Sequence, residues 1–208
     1  MIRALLSAAL VLTLTACGSG EPAGAAAPQP TTLVVLDAGH ETAALAPDSS
    51  MRLVSKGDGE VLLSAGFFNR NEMARVGLPA RAAWAADSRR LFINDPGNAA
   101  LGAVRVFDVA SNGLGTERTE AHRTAVAELV RMNGCASAPE GDVATAGLAW
   151  AGDGAQLYVL AEVRRRTGDC LWDKVSSIIV VTDIESGRLL EALPADEARR
   201  RHPGLAGM

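Results

Sequence analysis

Leu148-Ala-Trp-Ala-Gly-Asp-Gly-Ala-Gln-Leu-Tyr-Val-Leu160 is the stretch that decides how this chain folds. Apolar residues on both sides of Asp153-Gly154 predict the two strands of a β-hairpin, because Asp hydrogen-bonds nearby backbone and Gly adopts positive φ without a Cβ clash. The same pattern occurs earlier as Ala83-Trp-Ala-Ala-Asp-Ser-Arg-Arg-Leu-Phe-Ile93. Trp84 and Trp150 take equivalent places in the two copies, 66 positions apart. We therefore expect a β-structure built from repeats, with both tryptophans in its core.

Two further features extend the repeat. Ala44–Val54 is a third, weaker copy of the hairpin pattern, in which Asp48-Ser49 aligns with Asp87-Ser88. A second pattern also recurs, since Val104–Gly113 aligns with Ile179–Gly187, and each is a strand that ends in Asp before a Ser/Gly turn. Each repeat is therefore predicted to hold an inner hairpin and a later strand, with insertions that make the spacing irregular.

Helix signals are few in this chain. The segment from Thr119 to Met132 places Ala125 and Leu129 on one face, and Asn133-Gly134 follows as a stop signal, so it predicts a helix. A second helix is predicted from Pro194 to Arg201, in the equivalent place after the later strand of the next repeat.

The pattern A-W-A-x-D-x-x-x-L-[FY]-[IV] followed by V-x-V-x-D-[VI]-x-S-x-G resembles the repeat of TolB-like and WD-type β-propellers. A blade takes about 40 residues and closed propellers carry about 4–8 blades, so this chain has room for at most about four. The resemblance implies a mainly β fold with antiparallel sheets in about three to four propeller-like repeats, as an incomplete or small propeller with one helix inserted near 119–132. A β-sandwich with similar turn chemistry is the alternative.

The first thirty residues predict secretion and a lipid anchor. Met1 to Ala16 is an apolar run behind Arg3 that is too short to span a bilayer, which is typical of a secretory signal. Leu14-Thr15-Ala16-Cys17 resembles the bacterial lipobox, in which the Cys becomes the lipidated first residue; an ordinary cleaved signal with a chance Cys is the alternative. Residues 17–30 are predicted to be the lipidated Cys and a disordered tether, and residues 31–208 to form the β-repeat domain.

The resemblance to a lipobox implies a cell-envelope location. The chain would be lipid-anchored on a periplasmic or extracellular face, and Gly18 after the lipidated Cys implies the outer membrane in a Gram-negative host. The two other cysteines, Cys135 and Cys170, predict a disulfide in this oxidising compartment, with two separate buried thiols as the alternative.

Charge and motifs favour binding over catalysis. The net charge of −4 comes without a basic patch interleaved with aromatics, so nucleic acid is not an expected partner. No catalytic, metal-binding or cofactor-binding motif is found, and the clusters Arg164–Arg166 and Arg199–Arg201 are expected to be solvated. We expect a membrane-anchored binding or scaffold domain, with another envelope protein as a candidate partner. The alternative is an envelope hydrolase that uses His40 and nearby carboxylates.

Overall fold

The computed structural model describes residues 24–66, 69–97, 102–139, 141–167 and 169–206. The predicted signal peptide and Cys17 lie outside these residues. The thirteen strands that the structure describes are β1 (Val34–Leu36), β2 (Thr42–Leu45), β3 (Met51–Ser55), β4 (Glu60–Ala65), β5 (Asn69–Arg75), β6 (Ala80–Trp84), β7 (Arg90–Asp95), β8 (Ala103–Val109), β9 (Gly115–Arg118), β10 (Val143–Ala151), β11 (Gln156–Val163), β12 (Ser177–Asp183) and β13 (Leu189–Pro194). The helices are α1 (Glu120–Asn133) and α2 (Ala195–Arg201).

The strands form three antiparallel sheets, which confirms the prediction of a mainly β fold. The first sheet has the order β2-β3-β4-β5, the second β1-β6-β7-β8-β9, and the third β10-β11-β12-β13. Apart from β1, each sheet is a meander of four strands that follow one another in the chain. Helix α1 stands between the second and third sheets in chain order, as predicted, and α2 follows the last strand of the third sheet.

Both predicted hairpins form at the expected residues. Trp84 of β6 pairs with Leu91 of β7, and Trp150 of β10 pairs with Leu157 of β11. The turn between β10 and β11 passes through Asp153 at φ 55°. The turns that follow Asp87 and Asp48 contain Ser88 and Ser49, both at φ 60°. These left-handed turn residues explain why Asp, Ser and Gly recur at these positions.

The two tryptophans make the same contact with the preceding sheet. The indole Nε1 of Trp84 donates to the carbonyl oxygen of Ala44 at 3.3 Å, and the indole Nε1 of Trp150 donates to that of Ala83 at 3.2 Å. Ala44 and Ala83 hold equivalent positions in their own repeats, immediately before Leu45 and Trp84. The contact between the first and second sheets is therefore repeated between the second and third.

The turns of neighbouring repeats also touch in the same way. The hydroxyl of Ser88 accepts a hydrogen bond from the backbone N–H of Asp48 at 3.0 Å. At the equivalent place in the next pair of sheets, Gly154 lies so close to Ala85 and Asp87 that an added Cβ would meet the Ala85 Cβ at 2.7 Å. Gly154 thus has two reasons to be glycine, its φ of +88° and this approach.

Two apolar layers hold the sheets together, and a third covers the outer face of the third sheet. One lies between the first and second sheets and includes Leu63, Ile93 and Phe107. The next lies between the second and third sheets and is completed by α1, whose Ala125 and Leu129 are fully buried. The outer face of the third sheet is covered by α2 and by Leu205. The sheets that the structure describes do not close into a ring, so both an open propeller-like and a sandwich-like arrangement fit this architecture.

The structure describes the last part of the predicted tether. Residues 24–31, called the docked segment from here on, lie against the third sheet. Pro28 forms a bridge with Ala151, and the backbone N–H of Gln29 donates to the carbonyl of Trp150 at 2.8 Å. The chain needs little apolar surface to be held there, because side chains and the free edge of β10 satisfy its backbone groups.

Candidate binding cleft between the second and third sheets

A cleft with a cavity of about 480 Å³ opens where the second and third sheets meet. One wall comes from β1 and β6, the other from the start of β10 and the end of β11. Its polar lining consists of Asp37, Arg81, Asn94, Asp95, Thr145, Glu162 and Arg164, with Val35, Pro79 and Leu160 among the apolar residues.

Strand register explains why these side chains converge. Arg81 of β6 pairs with Val35 on one side and with Asn94 on the other, so the three project to one face of the second sheet. In the third sheet, Ala144 pairs with Glu162 on the face that meets them. The alternation of strand side chains therefore places a polar row from each sheet along the cleft.

A rigid joint forms the floor of the cleft. The side chain of Asn94 donates from Nδ2 to the carbonyl of Gly147 at 2.9 Å and accepts from the Gly147 N–H at Oδ1 at 2.7 Å. Asn94 thus makes with β10 the pair of backbone hydrogen bonds that a neighbouring strand would make. The register of β10 shifts between Gly147 and Ala149, and Gly147 lies against the ring of Phe92. The two walls are therefore fixed relative to each other by side chains from both sheets.

The charges in the cleft are of both signs. Glu162 and Arg164 form an ion pair at 2.8 Å with both side chains more than one third exposed. Within the described residues, the guanidinium of Arg81 and the carboxylate of Asp37 have no ion pair or side-chain hydrogen bond. These two groups are therefore available to a ligand that presents a carboxylate or an amine.

A buried carboxylate supports the same end of the second sheet. The side chain of Asp95 is fully buried, and its Oδ1 accepts hydrogen bonds from the N–H groups of Gly77 and Gly97, both at 2.9 Å. Arg105 Nη1 lies 3.4 Å from the other oxygen. The two glycines approach so closely that a Cβ on either would lie within 2.5 Å of the other's Cα. Asp95 therefore holds two loops together rather than facing a ligand.

Thr145 makes a polar contact behind the cleft. Its Oγ1 accepts a hydrogen bond from the backbone N–H of Val104 at 3.0 Å and lies 2.8 Å from His122 Nδ1. A hydroxyl oxygen can accept two hydrogen bonds, so the direction of this contact follows from the tautomer of His122: the hydroxyl donates to Nδ1 when the ring proton is on Nε2. Burial, and then the charge of Arg123, lower the pKa of His122, which keeps the ring neutral near pH 7. A neutral imidazole beside a hydroxyl is the geometry of a nucleophile and its base.

The three histidines lie in different surroundings. His40 is exposed, with its Nδ1 3.1 Å from the carbonyl of Ala38, and it is not part of the cleft lining. His202 Nε2 lies 3.1 Å from Glu191 Oε2, on the far side of the third sheet. The structure therefore does not bring His40 together with either of the other histidines.

The remaining predicted sites divide between the described residues and the rest of the chain. The disulfide between Cys135 and Cys170 is present, with a Cα–Cα distance of 5.4 Å, and it joins the end of α1 to the loop before β12. The repeated aspartates act as turn residues, since Asp48 accepts from the N–H of Ser50 and Asp87 from that of Arg89, both at 2.9 Å. Cys17 lies outside the described residues.

Sequence reasoning did not identify the cleft. Arg81, Asn94 and Glu162 come from three separate strands and carry no shared motif. The alternation of polar residues at the start of β6 and the end of β11 was the one available signal, and it needed the sheet pairing to become informative.

The comparisons with known proteins add no relatives. No protein-family model matches the chain, and no curated protein matches it. Among the described residues there is no helix long and apolar enough to cross a membrane, and no cluster of three or more His, Cys, Asp or Glu side chains arranged to hold a metal ion.

Proposed function

We propose that this protein is a lipid-anchored component of the bacterial cell envelope whose three-sheet domain binds or scaffolds another envelope protein. The observation that carries the anchor is Leu14-Thr15-Ala16-Cys17 at the end of an apolar run. The docked segment begins only seven positions later, at Gly24, so the anchored end would lead directly into the folded domain.

The repeated sheet contacts support a propeller-like domain. The bonds from Trp84 to Ala44 and from Trp150 to Ala83 join successive sheets at equivalent positions. At the outer face of the first sheet, the position equivalent to the tryptophans is Leu45, which is 56% exposed. Arg52, which is exposed, stands where Leu91 is buried in the second sheet. A terminal repeat needs polar residues on its outer face, and Arg52 in place of a core leucine fits this need. We therefore place the first sheet at the end of a short, open series of blades.

The cleft supports the binding role. Arg81 on β6 and Asp37, directly after β1, offer charges of opposite sign, and Val35, Pro79 and Leu160 add apolar surface. A cleft of this kind suits a polar protein segment that carries both an acidic and a basic group.

Cell fractionation tests the anchor. Cys17→Ala is expected to move the protein from the membrane fraction to the soluble fraction, because it removes the only thiol at the lipobox position. Ser19→Ala, two residues further along, is the matched control and should leave the protein with the membranes. Retention of the Cys17→Ala protein in the membrane fraction would contradict the anchor.

Cross-linking in cells tests the cleft. A photoreactive amino acid in place of Val35, which is 45% exposed on the wall of the cleft and pairs with Arg81, is expected to give a discrete adduct with another envelope protein. The same residue in place of Asp58, exposed in the turn between β3 and β4, is the control. An adduct that is equally abundant from both positions would contradict binding at the cleft.

The contact between Thr145 and His122 favours a second candidate function, an envelope hydrolase. In that case Thr145 would be the nucleophile and His122 its base, which replaces the role predicted for His40. Hydrolysis of an activated phenyl ester should then disappear in Thr145→Val, survive in Thr145→Ser and be unchanged in His40→Ala. Equal hydrolysis by the Thr145→Val and parent proteins would exclude this function.

A further inference from the structure

The docked segment is held to the third sheet by specific side chains. Gln156 accepts from the backbone N–H of Ala26 at 2.8 Å and donates from Nε2 to the carbonyl of Gly24 at 3.4 Å. The hydroxyl of Tyr158 donates to the carbonyl of Ala26 at 2.8 Å. Each contact joins residues more than 120 positions apart in the chain, so the docked segment is part of the tertiary structure rather than a local turn.

The other end of the docked segment follows the free edge of β10. The N–H of Gln29 donates to the carbonyl of Trp150 at 2.8 Å, and the N–H of Trp150 donates to Thr31 Oγ1 at 3.2 Å. This pairing occupies part of an edge that would otherwise present unpaired backbone groups. The docked segment therefore leaves the third sheet at a fixed place and continues into β1 of the second sheet.

The start of the docked segment lies beside the end of α2. Ala25 and Ala26 pack against the apolar cluster that contains Ala198 and Leu205. Tyr158 contacts both sides, since its hydroxyl also lies 3.5 Å from His202 Nδ1. The point at which the chain enters the domain is thus on the outer face of the third sheet, next to α2.

We infer that the surface formed by α2 and residues 203–206 faces the membrane and lies against anionic lipid headgroups. This inference rests on the proposed lipid anchor at Cys17. Only six residues separate Cys17 from Gly24, so the two Cα atoms can be at most about 25 Å apart, at about 3.6 Å per residue. A tether that remained free up to Thr31 would allow about twice that distance. Docking therefore selects which face of the domain is near the bilayer.

The charges on this surface fit that partner. Arg200 and Arg201 are exposed at the end of α2, and Arg199 is partly exposed. Arg201 forms ion pairs with Glu191 and Glu197, whereas the guanidinium groups of Arg199 and Arg200 have no ion pair within the described residues. Asp196, in the first turn of α2, is exposed and has no ion pair within the described residues, so two unpaired cations stand against one unpaired anion. Arg199 and Arg200 lie in the last turn, at the end of α2 next to the tether exit, and would be attracted to negatively charged headgroups.

The test uses the full-length lipidated protein in vesicles of phosphatidylcholine with or without phosphatidylglycerol. One fluorophore is placed at Ala206→Cys, beside α2, and a second sample carries it at Asp58→Cys in the first sheet, at the other end of the stack. Both positions are exposed. Energy transfer to an acceptor on the lipid headgroups is expected to be several-fold higher from residue 206 than from residue 58, and higher with phosphatidylglycerol than without it.

A variant that releases the docked segment gives the matched comparison. Gln156→Ala with Tyr158→Phe removes three hydrogen bonds to Gly24 and Ala26, and the difference in transfer between the two labelled positions should then fall. If this variant does not fold, the two labels on the parent domain still decide the question. Equal transfer from residues 206 and 58 in vesicle-bound protein would overturn the inference, as would transfer from residue 206 that does not depend on phosphatidylglycerol. Protein that does not associate with vesicles at all because Cys17 carries no lipid would instead contradict the proposed function.

Discussion

Gly147→Ala tests whether the second and third sheets are packed as tightly as the structure shows. Gly147 does not have a positive φ, so its backbone accepts alanine without strain. The added Cβ would, however, lie 2.8, 2.9 and 3.0 Å from the Cδ2, Cγ and Cε2 atoms of Phe92. The Phe92 ring is fully buried and packs on Trp150 with a centroid distance of 5.7 Å, which leaves it no room to withdraw.

The magnitude follows from two opposing effects. Overpacking of a rigid core site costs about 1–3 kcal/mol. Replacement of Gly by Ala in a strand returns about 0.5–1 kcal/mol through the lower entropy of the unfolded chain. We therefore expect Gly147→Ala to lower the free energy of unfolding by about 1–2 kcal/mol.

Urea denaturation of the disulfide-intact domain measures this change. Gly204→Ala is the control, because its Cβ would come no closer than 3.5 Å to the Cγ of Pro28, which is an ordinary van der Waals contact. Its cost should be below about 1 kcal/mol. In a Phe92→Leu background, which provides space, Gly147→Ala should become nearly neutral, since residues in contact couple. Equal costs for Gly147→Ala in the two backgrounds would refute the tight packing of these sheets.

Three further outcomes follow from the structure. Tyr158 is the chain's single tyrosine. Burial, and then the charge of Glu191, raise the pKa of Tyr158 to about 12. Phenolate absorbance should therefore appear near pH 12 in the folded protein and near pH 10 after denaturation. Because the folded-state pKa is raised, this contribution to stability is complete below about pH 10 and is lost as the pH rises towards 12; a folded-state transition at the ordinary pH would contradict the burial. Replacement of Cys135 and Cys170 by serine should lower the free energy of unfolding by about 3–4 kcal/mol, because the disulfide closes a loop with a sequence separation of 35. Urea denaturation with and without reductant measures this change, and an unchanged free energy of unfolding would exclude a stabilising crosslink. Burial alone would raise the pKa of Asp142, but hydrogen bonds from the hydroxyl and N–H of Thr167 lower the pKa overall. The Asp142 carboxylate should therefore stabilise the fold above its ordinary pKa, and this stabilisation should be lost as the pH falls through the lowered pKa. Thr167→Val should reduce the pH dependence of stability in an acid titration, and an unchanged acid profile in this variant would contradict the role of Asp142.

Local patterns in the sequence predicted much of the fold. The hairpins around Asp87 and Asp153 form as expected, because turn residues and strand alternation act over a few positions. Helix α1 begins one residue after the predicted start and ends at Asn133, before Gly134 in the left-handed conformation. The disulfide also agrees, although its prediction came from compartment and cysteine count rather than from geometry.

The features that the sequence did not indicate depend on distant contacts. Residues 24–30 lack the composition of a folded segment, and they are held by Gln156 and Tyr158, more than 120 positions away. Trp172 is buried in the loop before β12 at a φ of 51°, where no local pattern marks it as a core residue. The cleft likewise forms only when β6 and β11 are brought together by the packing of two sheets.

The number of repeats was bounded but not determined by the sequence. Length allowed three or four repeats, and the described residues form three sheets. The faint copy around Asp48 proved to be the first of them, with Leu45 and Arg52 in place of the apolar residues that mark the other two. Its weakness as a pattern follows from its outer face, which meets no further sheet among the described residues.

The lipid anchor is the claim on which the proposed function depends most. Mass spectrometry of the protein purified from its native membranes measures it directly. The mature chain is expected to begin at Cys17 and to carry the added mass of lipid on that residue. An unmodified Cys17, or a mature chain that begins elsewhere, would contradict the account.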